Sequence, residues 1–297
     1  MRMRVLLLGG ESRLGRSLLA QAAAESIVIE AEHRPPGGWL PDLLEPAIDR
    51  VRPDLIIDLA FYHEQFQLGE QDPLQLAGQH AFSERVIELC RDRDIVPFLL
   101  SSARVFDGAK VGPYAEKDEV SPADPLGQLQ AALEDRVREA TSRHLILRLS
   151  WVLDTSPEGL LGRLLRLIHA GEPLQLAEEW RGNPTPVEDA ARVMLALLKQ
   201  LDCEAPLHGI YHYGSSEPSS WISFAASLVQ ELLATQRLEH DPQVQPIPFQ
   251  AQALAGKEPQ NASLASRRIL MACGVKPRPW RSQLGALVDA MDTINHK

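Results

Sequence analysis

In the first half of this 297-residue chain, apolar residues gather in short unbroken runs, with amphipathic stretches between them. Arg4–Leu8 (RVLLL), Ser26–Glu30, Asp54–Ala60 (DLIIDLA), Val96–Ser101 and Leu145–Ser150 are such runs. Runs without polar alternation suit strands buried on both faces, so they predict a parallel sheet. Between them, Leu14, Leu18, Leu19 and Ala22 recur at helical spacing and predict a helix over Leu14–Ala24. Pro35-Pro36-Gly37-Gly38 breaks the chain before a short helix begun near Asp42, and Ala81–Arg93 is amphipathic. Strand and helix in alternation predict an α/β fold, a Rossmann-like doubly wound sheet with ligands at the carboxyl ends of its strands.

The second half changes character. Helices are expected over Gly159–Ala170, Val187–Leu201, Ser220–Thr235, Ser263–Cys273 and Arg281–Met291, with a further strand at Gly209–Tyr213. Asp241–Pro259 is polar and contains prolines, and no internal repeat interrupts the pattern. The expected division is a dinucleotide-binding domain over residues 1–150, to which 187–215 return. Residues 151–186 and 216–297 form a smaller, mostly helical substrate-binding lobe.

Composition narrows the function classes. A formal net charge of −10 and a pI near 5.4 argue against nucleic acid or an anionic membrane as partner. Cys90, Cys203 and Cys273 are scattered, without metal-ligand spacing, and read as reduced thiols of a cytoplasmic protein. The apolar run Val5–Leu8 is too short for a signal segment, and no stretch approaches the roughly 20 apolar residues that span a bilayer.

Strand, glycine turn and helix is the arrangement that receives a pyrophosphate, because backbone N–H groups and the helix dipole meet the anion. Here the turn reads Gly9-Gly10-Glu11-Ser12-Arg13-Leu14-Gly15. Ser12 adds a Cβ near the phosphate and disfavours a positive φ. After the second strand, Glu30-Ala31-Glu32-His33-Arg34 offers both signs of charge to an adenosine ribose, so NAD and NADP both stay open. A solvated loop of mixed charge is an equal reading.

Segments spread over nearly the whole chain share one resemblance. They are RPDLIIDLAFY (52–62), SSARVFDG (101–108), PYAEKDEVSP (113–122), LRLSWV (147–152), RGNPTPVEDAARV (181–193), GIYHYGSSEPSSWISFA (209–225) and PWRSQLGALV (279–288). In their order and spacing the chain resembles the dTDP-4-dehydrorhamnose reductase family, extended short-chain dehydrogenase/reductases whose relatives include the regulatory β-subunit of methionine adenosyltransferase. The resemblance implies a cofactor site at Gly9, Ser12, Arg13, Leu14, Gly15 and Arg34, with Ala60 and Tyr62 along the nicotinamide-side ribose. It implies a catalytic hydroxyl at Ser102, and a sugar pocket with Ala103, Trp151, Arg181 and Asn183.

The departures cluster at the chemistry. The family's Asp and Tyr before V-F-D-G are Ala103 and Arg104, and its Y-G-x-S-K becomes Leu126, Gly127, Gln128, Leu129 and Gln130. Its asparagine in the helix before strand four is Gln79. A carbonyl reductase of this type needs the phenol as proton donor and the lysine to lower its pKa. Arg104 and His80 are the substitutes to consider, although an arginine pKa is too high for efficient donation. The leading expectation is a catalytically inactive or impaired relative that binds NAD(P)(H), a nucleotide-sugar-like ligand or a protein partner, and a homodimer is allowed. The alternatives are an active keto-sugar reductase with a non-standard donor and a structural or regulatory subunit of a partner enzyme.

Overall fold

The computed structural model describes residues 3–25, 27–65, 72–157, 159–251 and 258–295. From the amino end the chain forms β1 (Arg4–Leu8), α1 (Arg13–Ala23), β2 (Val28–Glu32), α2 (Leu44–Val51), β3 (Leu55–Asp58), the single turn α3 (Tyr62–Gln65), α4 (Pro73–Asp92), β4 (Val96–Ser102), α5 (Pro125–Ala140) and β5 (Leu145–Leu149). Then come β6 (Val152–Leu153), α6 (Leu160–His169), β7 (Leu174–Ala177), β8 (Arg181–Gly182), β9 (Thr185–Pro186), α7 (Val187–Asp202) and β10 (Gly209–Tyr213). The last elements are β11 (Ser219–Ser220), α8 (Trp221–Ala234), β12 (Val244–Ile247), α9 (Arg267–Cys273) and α10 (Leu284–Asn295).

Six strands make one parallel sheet in the order β10-β5-β4-β3-β1-β2. Its two faces explain the unbroken apolar runs. Val5, Leu7, Leu55, Ile57, Leu145 and Leu147 pack with α1 and α7, while Leu6, Leu8 and Ile56 pack with α2 and α4. Leu99 and Ile146 meet α5. The chain reverses direction across the sheet at β1, which lies between β2 and β3, so a crevice opens at the carboxyl ends there.

A separate apolar cluster holds the later segments. Trp151, Trp180, Trp221, Phe224 and Trp280 gather with Leu160, Leu161 and Leu164 of α6 and with Phe106 and Tyr114. This region contains strands as well as helices: β7 pairs with β12, and β8 with β11. The expected polar loop over Asp241–Pro259 therefore includes a strand, and its residues 252–257 lie outside the described ones. The segment expected as a helix over Ser263–Cys273 starts four residues later, at Arg267, because 258–264 run extended beside Gly108, Tyr114 and Arg181. Helix α9 sets Ile269 among the apolar residues of β10 and α7.

The strand expected over Ser26–Glu30 is found at Val28–Glu32, and Ser26 is outside the described residues. Helix α4 begins eight residues before the expected Ala81. Asp72 accepts from Leu74 N–H at 3.0 Å and Pro73 takes the first helical position, a start signal that outranks the weak amphipathicity.

Candidate functional site

The turn after β1 keeps a pyrophosphate-binding shape. Gly9 has φ of +82°, and a Cβ there would stand 2.2 Å from the Leu59 carbonyl oxygen. Gly15 faces the same limit from the Gly9 carbonyl, at 2.5 Å. Ser12 overturns one expectation. Its φ is −62°, so no left-handed backbone is asked of it, and it serves instead as the N-cap of α1. Its Oγ accepts from Gly15 N–H at 3.0 Å, which occupies an amide that the helix end would otherwise offer to an anion. Leu14 is buried under the turn, and Arg13 lines a neighbouring cavity of about 360 Å3 with Arg16, Asp154 and Glu188.

Other crevice residues are already engaged. Arg34, expected at the adenosine ribose, pairs through Nη1 with Glu64 Oε1 at 2.6 Å. Tyr62 is buried, and its hydroxyl donates to Asp154 Oδ2 at 2.8 Å. Burial and the Asp154 carboxylate hold that phenol well above its ordinary range, so it is a poor acid. Ala60 donates its N–H to Asp58 Oδ1 at 3.1 Å, and Ser83 donates to Oδ2 of the same carboxylate at 2.8 Å.

A second cavity lies at the carboxyl ends of β4 and β5. Ser102, Ala103, Arg104, Ser150, Trp151, Trp180 and Glu258 contribute to its wall, and it measures about 40 Å3. Helix α5 stands behind Ser102. Asp124 caps it by accepting from Leu126 N–H (3.0 Å) and Gly127 N–H (3.1 Å), and Pro125 fixes its first turn. Gly127 is required because a Cβ would stand 2.3 Å from the Arg104 carbonyl oxygen. One turn along, Gln130 Oε1 accepts the Ser102 hydroxyl proton at 2.7 Å. Leu126 is 0% exposed and packs with Leu99, Leu129 and Ile146. The frame that would present a tyrosine and a lysine is present, but it presents hydrocarbon and an amide.

The proposed substitutes fare differently from expectation. Arg104 is 5% exposed and is clamped by two carboxylates: Nε and Nη2 reach Asp124 at 3.3 and 3.0 Å, and Nη1 reaches Glu258 Oε1 at 2.5 Å. Burial would lower its pKa, but Glu258 and Asp124 outweigh that and raise it, which rules it out as a proton donor. His80 is half-exposed on α4, 3.9 Å from Glu84, and is absent from the wall of the cavity.

Trp151 sits at φ of +38°, with its indole pressed on Gly182, where a Cβ would come within 2.4 Å of the ring. Its ring centroid is 5.2 Å from that of Trp180 and 5.3 Å from that of Trp221. Asn183 is committed internally: Nδ2 donates to the Ser215 carbonyl and Oδ1 accepts from Leu264 N–H, each at 2.8 Å. Arg181 is exposed on β8. Gln79, Gln130, Trp151 and Trp180 carry buried nitrogens with no hydrogen-bond partner. Sequence reasoning placed Ser102, Ala103, Arg104 and Trp151 in one site, and the structure brings them together. It missed Glu258 and Trp180 as members of this wall. For Glu258, a charged residue immediately before Pro259 in a polar stretch carried no signal.

The crevice at the β1 turn and the cavity at Ser102 both lie at the carboxyl ends of the parallel strands of a Rossmann-like α/β fold. A family model described as "RmlD substrate binding domain" matches residues 3–293, and the chain belongs to that family. It is 27% identical over 288 residues to a dTDP-4-dehydrorhamnose reductase of Aggregatibacter actinomycetemcomitans, covering 95% of this chain and 97% of that one. It is 27% identical over 251 residues to the dTDP-4-dehydrorhamnose reductase of Sinorhizobium fredii, covering 82% and 83%. The crystal structure of dTDP-4-dehydrorhamnose reductase from Bacillus anthracis, in complex with NADP, superposes with a TM-score of 0.79 at 20% identity, over 97% of this chain and 98% of that one.

Among the described residues, no group of three or more His, Cys, Asp or Glu side chains could hold a metal ion. No described helix is long and apolar enough to cross a membrane.

Proposed function

We propose that this chain is a non-reducing member of its family: its cavity binds a nucleotide-linked sugar, with NADP or NAD as companion ligand, in a binding or regulatory role. The observation that carries this is the Ser102–Gln130 hydrogen bond beside a fully buried Leu126. In that arrangement the hydroxyl that would polarise a ketone donates to an amide, and no acid stands at the phenol position. Loss of a positioned general acid removes about 10²–10⁴-fold of rate. In this reading residues 1–150 and 187–215 hold the dinucleotide, and 151–186 with 216–297 hold the sugar.

Several features support retained binding. Gly9 and Gly15 hold the tight strand-to-helix turn through which a helix N-terminus can be presented to a pyrophosphate. The indole side chains of Trp151 and Trp180 contribute to the cavity wall and offer a flat apolar surface to a sugar ring. The NADP in the B. anthracis relative and the dTDP-sugar names of the curated relatives give the ligand classes to try first.

Isothermal titration with NAD(H), NADP(H) and dTDP-glucose tests the reading, alongside anaerobic NAD(P)H oxidation with dTDP-4-keto sugars. Saturable binding without turnover above background is expected. Enzyme-dependent turnover would overturn the non-reducing part, and absence of binding to every compound would leave a protein-partner role.

A further inference from the structure

Two buried carboxylates share one guanidinium in the wall of the Ser102 cavity. Asp124 is well supplied with donors: it takes Nε and Nη2 of Arg104 and, as the cap of α5, two backbone N–H groups. Glu258 is 9% exposed and meets Nη1 of the same Arg104. Burial disfavours the charged form of Glu258, and Asp124 on the same guanidinium adds like-charge repulsion, so Glu258 is the acid driven to keep its proton. The groups facing Glu258 are Arg104 from the turn after β4, Asp124 from α5 and Arg163 from α6. Burial, aided by Asp124 and opposed by Arg104 and Arg163, pushes the Glu258 carboxyl up to about 7. A buried carboxyl raised by its surroundings is the pattern of a site that keeps a carboxylic acid neutral in order to donate.

We propose that Glu258 is the hydrogen-bond donor of this cavity: in its acid form it donates to an uncharged oxygen of a bound sugar. This rests on the ligand-binding reading above and names the ligand chemistry at that point. A keto or hydroxyl oxygen fits. A carboxylate or phosphate there would set a second anion beside Asp124 in a buried wall.

Titration calorimetry with dTDP-glucose from about pH 5.5 to about pH 8.5, in two buffers of different ionisation heat, tests it. Wild-type affinity should be level below about pH 7 and weaken about tenfold per pH unit above it, with one proton taken up per ligand bound. Glu258→Gln keeps the shape and an N–H donor, so it should bind at all pH values about as tightly as wild type does in acid. Wild-type affinity that is level throughout, or a variant that keeps the wild-type slope, overturns the inference. Infrared titration of the ligand-free protein separates this from failure of the underlying reading. It should show a protonated carboxyl band that fades near pH 7 and is missing from Glu258→Gln. That band with no sugar bound at any pH would defeat the ligand-binding reading, and the donor role with it. Tight binding without the band would defeat the donor role alone.

Discussion

The turn after β1 and the helix after β4 have both departed from the family's residues, and they differ in what the departure cost. At the turn, the central glycine has become Ser12, which caps α1 with its hydroxyl and keeps an ordinary φ. On α5, the tyrosine and lysine positions have become Leu126 and Gln130 inside a helix whose cap, first proline and close-packed Gly127 are intact. The first site is defined by backbone, so any residue that respects the path keeps the function within reach. The second is set by side-chain identity, and Leu126 and Gln130 pack there with the fold left in place. Fold signatures and catalytic signatures are thus held by different physical constraints, even within one segment.

Three experiments would break or sharpen this contrast. The largest effect should come from restoring the chemistry. Leu126→Tyr with Gln130→Lys should raise NAD(P)H-dependent turnover of a dTDP-4-keto sugar by about 10²-fold or more over wild type. A stopped-flow absorbance assay reads it, and no gain would mean that the loss extends beyond the pair. Gly9→Ala attacks the backbone-defined site and should destabilise the protein by about 2–4 kcal/mol in urea unfolding, because a Cβ meets the Leu59 carbonyl at a positive φ. A cost near zero would show the turn to be more compliant than its geometry implies. Ser12→Gly should do least to the fold, a few tenths of a kcal/mol. It frees the Gly15 amide, so dinucleotide affinity by calorimetry should tighten, and unchanged affinity would remove Ser12 from the account.

Much of the sheet was legible in the chain because strands buried on both faces leave unbroken apolar runs, and β1, β4, β5 and β10 fall within a residue of expectation. Strands β7 and β12 were not, since each is a four-residue segment whose partner lies far along the chain. Of the site, Ser102, Trp151 and the replaced pair could be read from motif order. Arg104 could be located but not understood: its role depends on Asp124 and Glu258, which only the folded chain brings to it. The engagement of Arg34 by Glu64 and of Tyr62 by Asp154 was hidden for the same reason.

Asn183 carries a consequence for how the protein is made. Its buried amide is satisfied on one side by Ser215 and on the other by Leu264. On a ribosome, residue 183 emerges long before 264, and until then its carbonyl oxygen has no protein partner. The sheet and the helices α1 and α7 on one of its faces precede residue 264 in the chain, whereas the Trp-rich cluster draws on residues as late as Val288. Chains that end before residue 264 would therefore carry the Asn183 amide oxygen and much of the Trp-rich surface without their partners.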